Sequence, residues 1–136
     1  MAANTTPIFP NQPAASWGTI TTANTAKDGT GTVVTVFTAD ATDGSFVSSI
    51  IFRAQGTNTA TVARIFVNNG SANSTPSNNS LIGEITLSGT TLSEVAALAH
   101  YEYTVNRQLP AGYKLNITIG TTVAAGYALT AFGSGY

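Results

Sequence analysis

The sequence predicts an all-β domain: about eight antiparallel strands stacked as a jelly-roll or immunoglobulin-like β-sandwich, preceded by an extended N-terminal arm. Three observations carry that reading. Short runs rich in Val, Ile, Thr, Phe and Tyr recur along the chain, split by turns containing Gly, Asn or Asp. Several of these runs alternate apolar with polar residues, as half-buried strands do. Three of the five prolines, Pro7, Pro10 and Pro13, precede the first run, where a fixed φ and a missing N–H favour extended chain over helix or central strand.

Residues 1–16 are the expected arm and residues 17–136 the sandwich domain. Ile8 and Phe9 stand as apolar islands between the prolines. Such an arm either frays as a free terminus or lies across a neighbouring subunit, burying Ile8 and Phe9 with Pro10 beside them. Strands are expected at 17–22, 32–38, 46–54, 61–68, 81–88, 99–106, 113–119 and 127–132. In the seventh run Leu115, Ile117 and Ile119 share one face while Lys114, Asn116 and Thr118 share the other. In the fourth, Val62, Arg64 and Phe66 oppose Ala63, Ile65 and Val67, so both faces are partly apolar. A strand of that kind sits in the middle of a sandwich or turns its outer face to a partner.

Asp28-Gly29, Asp43-Gly44, Asn69-Gly70 and Ala111-Gly112 supply turn residues that accept positive φ. The polar stretch 68–80 reads as a surface loop of about a dozen residues. Its Asn69, Asn73 and Pro76 are the most exposed candidates for partner contact. One segment departs from the β pattern: Thr91-Leu92-Ser93-Glu94 has capping-box spacing and leads into Val95-Ala96-Ala97-Leu98, which predicts one or two helical turns. No solenoid or propeller period is visible.

At 136 residues the chain can bury roughly two thirds of the surface that its unfolded form exposes. It contains no cysteine, which removes disulfides and zinc–thiolate sites as means of support. Charged residues are 8% of the chain, against about 25% in typical domains, so the surface must be polar yet neutral. A freely diffusing protein usually keeps its neighbours away with plentiful mixed charges; this one does not. The net charge is -1 and the basic residues Lys27, Arg53, Arg64, Arg107 and Lys114 are scattered, which argues against nucleic acid as a partner. The first residues lack the basic and apolar regions of a secretion signal, and no apolar stretch approaches the length of a membrane span.

Catalytic constellations are equally scarce. The one histidine, His100, shares a strand face with Glu102, but no nucleophile motif accompanies them. Asp28 and Asp43 precede glycines in turns, Asp40 flanks one, and Glu94 fits the helix cap. Glu84 and Glu102 lie in strands, where cross-strand pairing with Arg53, Arg64 or Arg107 is expected. The acidic residues offer no facing pair of the kind that glycoside hydrolysis uses, and Asp40 with Asp43 lacks the alternating oxygen ligands of a calcium loop. Gly29-Thr30-Gly31 lacks the lysine of a phosphate loop. The Asn-x-Ser/Thr triplets at Asn4, Asn73, Asn78 and Asn116 follow from a composition rich in Asn and Thr. Trp17, Tyr101, Tyr103, Tyr113, Tyr127 and Tyr136 could form a sugar-stacking platform, though most belong to strands, and core packing with hydroxyls reaching the rim is the default for such tyrosines. The expectation is a protein that is not an enzyme and uses no cofactor, metal or small-molecule ligand.

Three segments carry a resemblance: Thr21-Thr22-Ala23-Asn24-Thr25-Ala26-Lys27-Asp28-Gly29-Thr30-Gly31-Thr32-Val33, then Val67-Asn68-Asn69-Gly70-Ser71-Ala72-Asn73, then Leu109-Pro110-Ala111-Gly112-Tyr113-Lys114-Leu115. They resemble small structural proteins of tailed bacteriophages, along most of the chain, through turn motifs and composition. The resemblance implies a virion component made in the cytoplasm of the bacterial host and sited on the capsid surface. Most directly it implies a head decoration or cement protein, a homotrimer that binds the major capsid protein and copies of itself. A tail, neck or fibre component is the alternative, and a carbohydrate-binding module for host recognition a further one. A charge-poor surface suits a subunit covered by other subunits, where each buried charge would need a partner.

Overall fold

A computed structural model describes residues 7–136, which form eight strands: β1 (Gln12–Ile20), β2 (Val34–Thr38), β3 (Ser45–Ala54), β4 (Thr61–Asn68), β5 (Asn79–Leu87), β6 (His100–Leu109), β7 (Lys114–Ile119) and β8 (Tyr127–Gly135). Every expected strand is present. The first differs most, because it begins at Gln12, inside the expected arm, and takes Pro13 into the sheet. Proline is tolerated there because β1 is an edge strand paired only with β8. What remains of the arm among the described residues is 7–11; residues 1–6, with the triplet at Asn4, lie outside them.

The strands make two antiparallel four-stranded sheets, ordered β1-β8-β3-β6 and β2-β7-β4-β5. The pairs β1–β8, β2–β7, β3–β6 and β4–β5 nest inside one another like the rungs of one long hairpin wrapped round itself. Only the β4–β5 connection stays within a sheet. This is jelly-roll connectivity, and it decides between the two sandwiches that the sequence allowed.

The core lies between the sheets. Leu115, Ile117 and Ile119 of β7 face it fully buried, opposite Val47, Ile50 and Phe52 of β3, as the alternation of the seventh run requires. Ala63 and Ile65 of β4 join them, while Arg64 and Phe66 are buried on the other side of their sheet. That outer face is covered by the chain itself. Residues 21–33 fold back across it, held at one end by the Asn24 N–H donating to the Ile119 carbonyl at 2.7 Å. At the far end Asn73 Nδ2 donates to the carbonyls of Gly29 and Gly31, and Asn79 Nδ2 donates to that of Asp28. Gly29, at φ +80°, approaches Asn79 so closely that a Cβ would crowd the asparagine side chain.

The helical turn expected at 91–98 is absent, and with it the capping role of Glu94. The Ser93 hydroxyl accepts the Val95 N–H at 3.2 Å, a local turn that competes with helix, and the Leu92 N–H is drawn to Thr57 Oγ1 at 3.0 Å. Val95 is 97% exposed, so the segment has no packed face to stabilise so short a helix. The helical piece among the described residues is instead a single 3-10 turn, Pro76–Asn78.

The two flanks of the sandwich differ. On the β1/β2 flank Gly18 lets the strands approach, since a Cβ there would stand 2.9 Å from the Val34 side chain. On the β6/β5 flank two tyrosines bridge the gap. Tyr103 Oη donates to the Ile82 carbonyl at 2.9 Å, and Tyr101 Oη accepts the Ser88 N–H at 3.1 Å. The register of β5 slips between Gly83 and Leu81, leaving Ile82 as a bulge at the sheet edge.

Candidate docking surfaces

Residues 21–33 cross one outer face of the sandwich, and the other carries no such cover among the described residues. The outer face of the β1-β8-β3-β6 sheet is crossed by rows of aligned residues: Trp17, Thr130, Ile51 and Glu102 in one, Ala15, Phe132, Ser49 and Thr104 in the next. Phe46 and Pro13 extend the apolar surface in the following row, joined through Ser134. Trp17 is 73% exposed and Phe132 43%, and no side chain contributed by β1 or β8 to this face is charged. Arg53, Glu102 and His100 confine the charge to the β3/β6 side. Next to this face a shallow hollow of about 480 Å³ is lined by Pro13, Ala15, Phe46, Phe132 and neighbouring backbone. The alternation along β1 puts Trp17 outside, because Gly18 and Ile20 take the inward positions.

The expected contact residues fall into two groups. Ile8, Phe9 and Pro10 project beyond β1, with Ile8 54% and Phe9 71% exposed. Their root is fixed where the Asn11 N–H donates to the Gly135 carbonyl at 2.9 Å. Asn69, Asn73 and Pro76 lie together in the β4–β5 loop, away from the exposed face. Asn73 spends its amide on the carbonyls of Gly29 and Gly31, and Asn69 pairs with Asn78, so both have internal structural roles. Asn69 and Pro76 are exposed.

A third feature is a cleft of about 530 Å³ on the β6/β5 flank. Val67, Val105 and Leu109 form its floor, Tyr103 and Tyr113 its half-buried walls, and Arg107 and Gln108 its exposed rim. The convergence of these two tyrosines depends on the pairing of distant strands.

The titratable groups hold turns and strands together. Asp28 is held below the usual carboxylate range by the Thr30 hydroxyl and N–H, and Asp40 by the N–H groups of Asp43 and Thr42. Burial, with Tyr101 beside it, pushes the Tyr127 phenol up. Arg64 Nε meets Glu84 Oε1 at 2.9 Å, one of the cross-strand pairs that the sequence allowed, whereas Glu102 makes no ion pair among the described residues. His100 and Glu102 share the exposed face without a hydrogen bond between them. Comparison with protein-family models, curated proteins and solved structures finds no match to the chain.

Proposed function

We propose that this protein is a structural component of a tailed-bacteriophage particle, most directly a decoration or cement protein on the head. In this reading it acts by packing, without catalysis or cofactor, against the major capsid protein and copies of itself, as a trimer on the capsid surface. The observation that carries the proposal is the asymmetry of the sandwich. One outer face is crossed by the chain's own residues 21–33 and keeps Arg64 and Phe66 buried, with Leu81 exposed at its β5 edge, while the other offers Trp17, Phe132 and their uncharged neighbours to water. An exposed apolar patch of this sort marks a surface that another molecule covers, and a neutral one loses little when its water is removed. The resemblance of the turn segments to phage structural proteins supplies the kind of particle. Jelly rolls are frequent in capsid proteins, which supports the reading without fixing it, since one fold serves many functions.

Co-sedimentation with phage shells stripped of their accessory proteins tests it. The wild-type protein is expected to bind the shells with little sensitivity to salt, and the pair of substitutions Trp17→Ser and Phe132→Ser to abolish binding. Binding to isolated tails alone would move the protein to a tail, neck or fibre. Failure to bind either particle, or measurable turnover of a substrate, would sink the proposal.

A further inference from the structure

The described residues carry both halves of a contact that they do not make with one another. The arm segment Pro7-Ile8-Phe9-Pro10 leaves two large apolar side chains in water, and the β6/β5 cleft leaves an apolar floor between two tyrosines. Prolines at 7, 10 and 13 recur every third residue, the period of a polyproline II helix. Segments of that conformation dock into grooves lined by aromatic side chains, because their shape is set in advance and little entropy is lost on binding. Charge poses no obstacle, since no residue before Lys27 is charged and the cleft contributes only Arg107 at its rim.

The positions of the two halves indicate how they meet. The row Gln12, Gly135, Ser45 and Leu109 runs across one end of the β1-β8-β3-β6 sheet. The arm leaves from the β1 edge of that row and the cleft opens at its β6 edge, three strand spacings or about 14 Å away. Donor and acceptor therefore sit at opposite edges of the same sheet, and the contact they make between copies is head-to-tail. Repeated with a rotation that returns to its start, such a contact closes into a ring; with any other rotation it runs on as an open filament. We propose that Pro7–Pro10 of one copy occupies the β6/β5 cleft of the next, and that this exchange builds the cyclic oligomer. The inference rests on the reading that copies of the chain pack together, and it adds which surfaces do so.

The absence of cysteine makes the test direct. Full-length Phe9→Cys protein is mixed with full-length Ile82→Cys protein under mild oxidation, with Phe9→Cys plus Thr19→Cys as the control on a surface remote from the cleft. A disulfide-linked pair in the first mixture and background levels in the second are expected. The double variant Phe9→Cys/Ile82→Cys should then give a ladder of covalent species ending at the copy number of the ring. Light scattering on the same samples separates the two possible failures. An oligomer that persists while the first mixture cross-links no better than the control overturns the arm-in-cleft contact and leaves self-packing intact; a monomer at every concentration overturns both. Because Ile8 and Phe9 are exposed, Ile8→Asp/Phe9→Asp should leave the fold unchanged and dissociate the oligomer, and an oligomer unaffected by it would contradict the proposal.

Discussion

Tyr103 crosses from β6 to β5 and lies directly on Gly83, where any Cβ would collide with the phenol ring. Its hydroxyl donates to the carbonyl of the neighbouring bulge residue, Ile82. The ring thus spaces the two edge strands while the hydrogen bond ties them, and the gap beyond it is the cleft walled by Tyr103 and Tyr113.

Gly83→Ala should therefore be costly although the residue lies in an edge strand. Forcing a methyl group against the ring is expected to destabilise by about 2 kcal/mol, in the range of overpacked sites. For a chain of this size that lowers the thermal midpoint by roughly 8 °C. Tyr103→Phe removes only a partly exposed hydrogen bond and should cost about 1 kcal/mol or less. Thermal melts of Gly83→Ala with and without Tyr103→Ala decide the point: the alanine at 83 should be nearly neutral once the ring is gone.

Asn58 is the second position where one side chain joins distant segments. Only 5% exposed, it accepts the N–H groups of Ala125 and Gly126 and donates to the Gly126 carbonyl, while its backbone pairs with Thr90. Three loops at one end of the sandwich therefore meet on this residue. Asn58→Ala orphans the N–H groups of Ala125 and Gly126, while the Gly126 carbonyl keeps the Gln55 N–H, and it should cost about 2 kcal/mol, since each unsatisfied group is worth about 1 kcal/mol or more. Urea unfolding should show a lower midpoint with an unchanged slope.

Asn58 also marks what could be read from the sequence and what could not. Alternation is local, so Leu115, Ile117 and Ile119 declared their strand and its buried face. The two-sided burial of β4 was legible in the same way, but the cover over Phe66 was not, because it arrives from residues 21–33 through Asn73 and Asn79. Pro13 spoke only against a helix or a central strand, and that β1 would be an edge strand able to take it is a tertiary property. At 91–98 a four-residue capping pattern was outweighed by Ser93 and Thr57, whose hydroxyls hold the backbone in another path. The exposure of Trp17 was hidden for a related reason: its direction depends on Gly18 facing Val34 across the flank.

The acid limb of stability should depend on Asp40. Its carboxylate accepts the N–H groups of Asp43 at 2.9 Å and Thr42 at 2.8 Å, which holds it below the ordinary value of 3.8. A carboxyl depressed in the folded state contributes stability that is present above its unfolded value and is lost as pH falls through the folded one. The thermal midpoint should thus hold down to about pH 4 and decline below it. Asp28, held down by Thr30, adds to the same limb. Asp40→Asn keeps an acceptor for both N–H groups without a titrating proton, so its melting curve should be less acid-sensitive than that of the wild type. An identical acid limb in the variant would exclude Asp40 as a contributor.

Trp17 separates stability from function most cleanly. It is the single tryptophan of the chain and is 73% exposed on the uncovered face, with no hydrogen-bond partner for its indole among the described residues. Trp17→Ser should therefore change folding stability by no more than about 0.5 kcal/mol, as surface substitutions do. In the free protein its fluorescence should be that of a hydrated indole, readily quenched by iodide. If the exposed sheet is the face that a particle covers, binding must remove that water, so the emission should move to the blue and quenching should fall as the protein is titrated with shells. Emission that stays unchanged while the protein co-sediments would place the contact elsewhere on the molecule.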